Sequence, residues 1–319
     1  MEGLMSQKNR TLLIIGSMAL FTMHIINRIE YSRCTAKNLL NSNENQYYEW
    51  RFGKIRYIKK GSGSPLLLIH DLTVGSSSFE YCKLIDHLSK DHEVYVIDLL
   101  GYGLSDKPDM TYTNYLFVQL ISDFIKTVIG RRTDIISSGD SVPIAIMSCH
   151  NDKDLIHNII AINPQNLFQL NQIPSRHTRI LKFLLDCPII GTFVYNLYTN
   201  KSMLLKTFQQ DYYYNPYSIE EKIIMSYAEA AHTLDSKSKY TYSSYVGRYM
   251  NANILHALKE VNNSIFIIAG EEKSNIHTIV ENYEYYNNAI ESVYIPKTKQ
   301  LPHLEKAEEV LSHINTFLS

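Results

Sequence analysis

The sequence predicts an α/β protein with a mostly parallel sheet, a helical insertion late in the chain and an apolar helix near its N-terminus. Short, continuous apolar runs at residues 65–69 and 94–97 are typical of strands that are covered on both faces. Helical segments separate these runs, which favours a parallel sheet, because parallel strands need crossover connections. Between residues 163 and 258, apolar spacing near 3.6 replaces the strand pattern and predicts a helical insertion.

Composition excludes several classes of protein. The chain has 319 residues, which suits one large α/β domain with an insertion. Hydrophobic residues make up 45% and charged residues 20%, so the chain can bury a core. A net charge of -1 without a long basic run argues against a nucleic-acid partner. The four cysteines are far apart and show no C-x-x-C spacing, so we expect neither a zinc site nor a disulfide framework, and we expect no cofactor.

The N-terminal segment predicts a membrane anchor. Residues 11–27 carry no charge, a length at the short end of a membrane-spanning helix. Small residues of a signal-peptide cleavage site do not follow them, so we expect an uncleaved anchor over residues 1–30 and a linker over 31–49. The alternative is a helix that packs on the domain. Basic residues flank the segment on both sides, and their distribution favours neither orientation across the membrane.

The remaining elements are predicted in order along the chain. Two alternating runs in residues 50–58 are broken at Phe52 and Gly53, which indicates a hairpin. Further strands are expected at residues 133–136, 159–162 and 265–269. We therefore assign residues 50–319 to one domain, with a helical cap at about residues 164–258.

One loop carries the most specific motif. Residues 98–108 read D-x-x-G-x-G-x-S-x-x-P directly after a predicted strand, and this resembles the signature of α/β-hydrolase-fold proteins. Residues 67–70, 139–143 and 301–305 resemble other parts of the same family in the same order. The resemblance covers about residues 50–318 and implies the α/β-hydrolase fold, with helices on both faces of the sheet and a cap that shapes a substrate pocket.

The resemblance implies a nucleophile on a sharp strand-to-helix turn, G-x-S-x-G. Ser141 is the candidate, because Ala145 and Ile146 match the serine register. Asp140 is the alternative, since some members of the family use aspartate. The non-catalytic interpretation is a polar turn that caps the following helix, with Pro143 in its first turn.

Two other triad positions depart from the family pattern. Gln300 stands where the family has its histidine, and glutamine cannot transfer a proton near neutral pH. His303, three residues on, is the candidate replacement. Lys273 stands where the aspartate belongs, and Glu272 or Glu271 could substitute for it, although both are equally explained as solvated loop carboxylates.

The loop after the strand predicted at residues 65–69 also departs from the family pattern. His70 and Asp71 stand where the family has His-Gly, and the resemblance implies that Leu72 and Val142 provide the two N–H groups of the oxyanion hole. A carboxylate at Asp71 would oppose the negative charge that develops there.

Two functions are therefore predicted. The first is a serine hydrolase of the esterase or lipase type, acting through Ser141 with His303 and Glu272 as displaced base and acid, with impaired or altered catalysis. The second is an inactive pseudohydrolase that serves as a membrane-tethered binding or interaction module. Apolar and aromatic residues of the cap suit a small apolar or lipid-like ligand, and the sequence identifies no protein partner. One apolar segment of spanning length does not support a channel or transporter.

Overall fold

A computed structural model describes residues 7–319, and this part of the chain forms one eight-stranded sheet in the order β1-β2-β4-β3-β5-β6-β7-β8. The strands are β1 (Asn45–Trp50), β2 (Gly53–Lys60), β3 (Ser64–Ile69), β4 (His92–Ile97), β5 (Thr133–Ser138), β6 (Ile156–Ile162), β7 (Ile265–Gly270) and β8 (Ile290–Ile295). The first two strands pair antiparallel, and β2 also lies antiparallel to β4. The pairs from β4 through β8 are all parallel.

Helices surround the sheet. They are α1 (Gln7–Thr35), α2 (Ile85–Leu88), α3 (Asn114–Phe124), α4 (Val142–Asn151), α5 (Leu167–Leu170), α6 (Arg176–Asp186), α7 (Pro188–Thr199), α8 (Lys201–Thr207), α9 (Glu221–Ser236), α10 (Lys239–Val246), α11 (Leu255–Glu260), α12 (Ile276–Tyr286), α13 (Pro302–Glu305) and α14 (Ala307–Leu318). Helices α5 to α11 lie between β6 and β7, where the sequence predicts the cap.

The side chains of β3 show why the parallel strands read as continuous apolar runs. Leu67 and Ile69 pack into one hydrophobic layer, which also contains side chains of α3, α4, α11 and α12. Leu66 and Leu68 point to the other face and pack with side chains of α2 and α14. Because successive side chains point to opposite faces, a strand covered on both sides needs apolar residues at every position. The predicted fold class, helices on both faces of a mostly parallel sheet, is confirmed.

The boundaries of the N-terminal elements differ from the prediction. The hairpin forms at Phe52 and Gly53 as expected, but β1 begins at Asn45, inside the predicted linker, and α1 continues to Thr35. Strand β8 was not predicted, since one face of this edge strand is only half-buried and its sequence lacks a continuous apolar run.

Helix α1 has two different halves. It is long and apolar enough to cross a membrane, with a mean hydropathy of 1.6 over its best 18-residue window, of which 6% is buried. A signal sequence near the N-terminus, or a buried core helix, meets the same criteria of length and hydropathy. Its C-terminal half packs on the cap, where Asn27 donates to the Ile189 carbonyl (3.2 Å) and Arg28 pairs with Asp235 (2.6 Å).

Candidate functional site

The candidate site lies at the carboxyl ends of the parallel strands. Asp71 lies just after β3, Gly139 directly after β5, Lys273 in the turn after β7 and Gln300 in the loop after β8. These loops meet at one edge of the sheet, because parallel strands end on the same side. The fold therefore brings together the positions that the sequence identifies as altered.

The strand-to-helix turn is centred on Gly139. Strand β5 ends at Ser138, and Gly139 adopts a positive φ of 56° before the chain enters α4. Ser141 has ordinary right-handed dihedrals, φ -85° and ψ -13°. A positive φ is accessible to glycine at little cost and strained for other residues. Gly139, two residues before Ser141, therefore occupies the positive-φ position of this turn, which is called the elbow below. The sequence predicts Ser141 at this position, and the backbone dihedrals correct it to Gly139.

Ser141 is bound into the core. Its side chain is buried, and its hydroxyl donates to the Ser138 carbonyl (2.8 Å) and lies 3.2 Å from the Ile69 carbonyl. The hydroxyl oxygen also accepts from the Ser138 N–H (3.2 Å). The Val142 N–H bonds to the Gly139 carbonyl within the turn. Ser141 thus ties β5 to β3, and the Val142 N–H does not face the site, in contrast to its predicted role in the oxyanion hole.

Two other backbone N–H groups lie in the positions that this fold uses to bind an oxyanion. In this fold the pair comes from the residue after the nucleophile and from the loop after the early strand. With Gly139 in the nucleophile position, these are Asp140 and Leu72. Both donate to Oδ1 of Asp71, at 2.8 Å and 2.7 Å. The Asp71 carboxyl group thus accepts from both N–H groups, and Leu72 is one of the two residues that the sequence predicts for such a pair.

Asp71 and Gly139 fit each other sterically. A Cβ atom built on Gly139 would collide with the carboxyl carbon and both carboxyl oxygens of Asp71. Gln300 donates from Nε2 to Oδ2 of Asp71 (3.3 Å). Gln300 therefore contacts the Asp71 carboxyl group from its other side, and any side chain at position 139 would compete with that carboxyl group for the same volume.

The electrostatics of this cluster follow from burial. Burial, followed by the nearby Asp140 and Glu80, raises the pKa of Asp71 well above its usual range, although two N–H donors act in the opposite direction. Burial also raises the pKa of Asp140, and Tyr245 and Lys273 counteract part of this rise. Burial lowers the pKa of Lys273 to about 8, while Asp71 and Asp140 act to raise it.

Lys273 turns towards the neighbouring strand end. Its Nζ donates to the Asn163 carbonyl (3.1 Å), just beyond β6. The Asn163 amide nitrogen donates in turn to the carbonyls of Lys299 (2.8 Å) and Gln300 (2.9 Å). Lys273 therefore helps, through Asn163, to hold the loop that carries Gln300.

The candidate base and acid are not brought together. His303 is buried, its Nε2 lies 3.3 Å from Oε1 of Glu80, and its ring stacks on Tyr81. Burial would raise the pKa of Glu80, but His303 beside it holds this pKa below its usual value. Glu272 is exposed. The sequence reasoning missed the pair of Glu80 and His303, because nothing in an isolated Phe-Glu-Tyr sequence indicates that its carboxylate is buried.

His70 has a structural role at the same edge. Its Nδ1 lies 2.6 Å from the Asp71 carbonyl, and its Nε2 accepts a hydrogen bond from the Leu99 N–H (3.1 Å). These two bonds connect the loop after β3 to the loop after β4. Burial lowers the pKa of His70, so its neutral form is favoured.

Two groups of side chains among the described residues have the composition of metal ligands. One is Glu30, Cys34 and His232, and the other is His150, His256 and Glu260; in each, the ligand atoms lie within 4.8 Å of one another. Cys34 donates to Glu30 (3.6 Å). Neither group includes a residue of the elbow.

Comparison with known proteins identifies the family. A family model described as alpha/beta hydrolase family matches residues 66–313. The chain belongs to this family. The match includes the elbow, the cap and the loop that carries Gln300, so the altered positions lie within the family domain.

Two relatives match over short segments. A 2-hydroxy-6-oxo-6-(2'-aminophenyl)hexa-2,4-dienoic acid hydrolase of Metapseudomonas resinovorans is 35% identical over 74 residues, which is 23% of this chain and 26% of the relative. A cis-3-alkyl-4-alkyloxetan-2-one decarboxylase of Shewanella oneidensis is 39% identical over 70 residues, 22% of this chain and 21% of the relative. The chain thus spans about a quarter or less of the length of these two relatives.

Solved structures show the same fold over a larger part of the chain. The serine hydrolase CarC, involved in carbazole degradation, has a TM-score of 0.70 at 16% identity and covers 86% of this chain and 98% of its own. The epoxide hydrolase CorEH has a TM-score of 0.70 at 18% identity, with coverages of 86% and 97%. These enzymes differ in reaction, so the shared fold does not determine the chemistry.

A signal in the sequence could have located the elbow correctly. The predicted strand over residues 133–136 is followed, after two serines, by Gly139, and glycine is the residue type that adopts a positive φ most readily. Looking for the first glycine after the predicted strand, instead of matching Ser141 to the family serine, would have placed Gly139 at the turn.

Proposed function

We propose that this chain is a catalytically inactive member of the alpha/beta hydrolase family, held at a membrane by α1 and serving as a binding or interaction module. The observation that carries this proposal is the position of the Asp71 carboxyl group, which accepts from the N–H groups of Leu72 and Asp140 and lies against Gly139. The space for a nucleophile and the site for an oxyanion are both filled by one side chain of the protein itself.

Each catalytic step lacks a group that performs it. Gly139 has no side chain with which to attack a substrate, and the Ser141 hydroxyl is bound to carbonyl groups in the core. Gln300 cannot accept a proton near neutral pH, and loss of a triad histidine costs on the order of 10⁶ in turnover in a well-studied serine protease. The loss of one oxyanion donor costs about 2.7–4 kcal/mol of transition-state stabilisation, and here both donors already bind a carboxyl group.

The hydrolase alternative has support from relatives named as hydrolases and from the fold. It requires Ser141 to leave its carbonyl partners and to find a base, and the nearest predicted base, His303, lies against Glu80. The contacts of these two side chains therefore favour the inactive protein.

The membrane anchor is supported by the exposed half of α1. Its large apolar side chains are largely exposed to solvent between Leu12 and Phe21. At about 1.5 Å per residue, the uncharged residues 11–27 extend about 25 Å, near the hydrocarbon thickness of a bilayer. Insertion would bury these side chains, while the second half of the helix holds the cap close to the membrane.

The test is labelling of the full-length, detergent-solubilised protein with a fluorophosphonate probe, which reacts with activated serines. We expect no labelling of the wild type or of Ser141→Ala. A variant that combines Gly139→Ser, Asp71→Gly, Gln300→His and Lys273→Asp restores each family residue and should gain labelling if it folds. A purified serine hydrolase is the control for the probe. Strong labelling of the wild type that is lost in Ser141→Ala would overturn the proposal, whatever the combined variant does.

A further inference from the structure

We propose that the outer face of cap helices α6 and α7 is a second membrane contact, which lies in the interface of the same bilayer that holds α1. This inference rests on the proposed anchoring. It concerns a surface of the cap that is separate from the altered catalytic residues.

Helix α6 exposes apolar side chains and buries a charged one, which is the reverse of the usual pattern on a water-exposed surface. Its Phe183 is 70% exposed, and Ile180, Leu181 and Leu184 are exposed as well. Its Lys182 is 8% exposed and turns inward, where Nζ pairs with Asp186 (2.5 Å). Apolar side chains on an exposed helix face, with a charge directed inward, indicate a surface that another apolar phase covers.

Neighbouring segments of the cap also carry exposed apolar side chains. Ile190, Leu197 and Tyr198 of α7 are exposed, as are Phe168 and Ile173 before α6. Helices α6 and α7 together have the length and apolar composition of a membrane span, but they meet at 103°. Two short helices with so sharp a bend suit a position in the interface better than a path across the bilayer.

The position of α1 identifies the bilayer as the occupant. Asn27, at the end of the uncharged segment, donates to the Ile189 carbonyl and accepts from Asn196 Nδ2 (3.0 Å), so it lies against α7. If the uncharged segment lies in the hydrocarbon, Asn27 lies at the membrane boundary and α7 lies at the same depth. Ile190 and Leu197 are each one residue from these contacts in sequence, which places exposed apolar side chains of α7 near that boundary.

Charge also favours a membrane with anionic lipids. Arg176 and Arg179 are exposed in the first turns of α6, close in sequence to the apolar residues 180–184. Basic side chains that flank an apolar helix face are attracted to anionic headgroups while the apolar face enters the acyl boundary.

The experiment uses the full-length chain in vesicles of phosphatidylcholine and phosphatidylglycerol that contain a phosphatidylcholine with a photoreactive diazirine in its acyl chain. After illumination, cross-linked peptides are mapped by mass spectrometry. We expect cross-links in residues 11–27 and in α6 and α7. Tyr285 on α12 is 78% exposed and serves as an internal control that should remain unlabelled.

A double variant, Phe183→Ser with Leu184→Ser, tests the surface directly, and Tyr285→Ser is the matched control. Burial of these two apolar side chains in the acyl region would stabilise the contact, so the double variant should lose at least about tenfold of the α6 cross-links and keep those of α1. Tyr285→Ser should change neither.

The outcomes separate this inference from the proposed anchor. Labelling of α1 without labelling of α6 and α7 would overturn the second contact and leave the anchor intact. Labelling of α6 and α7 without α1 would show that this face meets lipid but would overturn the anchor, and with it the inference that α1 and the cap contact one bilayer. A parallel sample is treated with a bifunctional photoreactive reagent; cross-links between the α6 helices of two copies, without lipid labelling there, would show that a second chain covers this face and would contradict the inference.

Discussion

Asp71 and Asp98 lie in similar backbone settings but have different electrostatic environments. Each is buried, each follows a parallel strand, and each accepts two backbone N–H groups. Each also lies against a glycine with positive φ, Gly139 for Asp71 and Gly103 for Asp98, where an added Cβ would collide with the carboxyl group. The backbone therefore accommodates both carboxyl groups in the same way.

The two aspartates differ in the side chain that pairs with the carboxyl group, which is a cation for Asp98 and a neutral amide for Asp71. Arg56 lies 3.4 Å from Asp98, and although burial acts to raise the pKa of Asp98, Arg56 and further partners hold it below its usual value. Asp71 has the neutral amide of Gln300 in the corresponding place, and its pKa is raised. A buried carboxylate is stable as an anion when a charged partner compensates for desolvation, and otherwise it favours its protonated form.

The two settings also differ in what they support. Ser105 donates to the Asp98 carbonyl (2.6 Å) and accepts from the Arg56 N–H (2.8 Å), so the D-x-x-G-x-G-x-S loop joins β4 to β2. This loop keeps the family pattern because it holds the sheet together. The loops around Asp71 occupy the positions that carry catalytic groups in active members of this fold, and the loss of catalysis that we propose there leaves the fold intact.

The largest expected effect is on Asp98. Asp98→Ala leaves Arg56 buried without its carboxylate and removes the acceptor of two N–H groups, so we expect a loss of about 3–5 kcal/mol in the free energy of unfolding. Denaturant unfolding of the detergent-solubilised protein measures it. Asp86→Ala, which removes an exposed pair with Lys60, is the control and should cost no more than about 1 kcal/mol. Equal losses in the two variants would contradict the scaffold role of Asp98.

The next effect concerns the fit of Gly139 to Asp71. Gly139→Ser combines a strained φ with a collision, and we expect it to destabilise the fold by more than the roughly 1–3 kcal/mol of backbone strain alone. Gly130→Ser is the matched control, since Gly130 has a φ of 68° and open space around its Cβ position.

Adding Asp71→Gly to Gly139→Ser removes the collision. The double variant should therefore be more stable than the sum of the single changes by about 0.5–3 kcal/mol. Additive losses in this double-mutant cycle would mean that the two side chains do not compete for one volume.

The smallest expected effect is a difference in pH dependence between the two aspartates. A raised pKa in the folded state means that Asp71 contributes stability below about pH 4, which is lost as pH rises through the raised pKa. Asp71→Asn stays neutral, so its stability relative to the wild type should increase with pH above about 4. Denaturant unfolding at a series of pH values measures this trend.

Asp98→Asn should show the opposite sign. The folded-state pKa of Asp98 is lowered, so its contribution is present above about pH 4 and is lost as pH falls through the lowered pKa. Relative to the wild type, Asp98→Asn should therefore be least stable above pH 4. The same sign for both variants would refute the contrast between the two carboxyl groups.

The strands other than β8, the cap and the Asp98 loop were predictable because their signals are local. A strand covered on both faces needs an unbroken apolar run, and the runs at residues 65–69 and 94–97 show it directly. The substitutions at Asp71, Lys273 and Gln300 were also visible in the sequence, since each lies next to a recognisable motif.

Tertiary structure decided the contacts of the site. The direction of the Asp71 carboxyl group depends on the N–H group of the adjacent Leu72, on the N–H group of Asp140, 69 residues later, and on the space that Gly139 leaves. His303 was a candidate base by sequence, yet its partner is Glu80, more than 200 residues earlier. Such distances follow from the packing of loops at the sheet edge, which no local pattern encodes.

On the surface, helix α6 likewise separates what the sequence predicts from what the tertiary structure decides. Helical spacing of apolar residues predicted a helix with an apolar face, because the period of 3.6 residues is a property of the chain alone. Whether that face is buried depends on which side the rest of the protein covers. Here the packed cap covers Lys182 and Leu185 and leaves Phe183 and Leu184 exposed, because α6 meets the cap through the face that carries the charge.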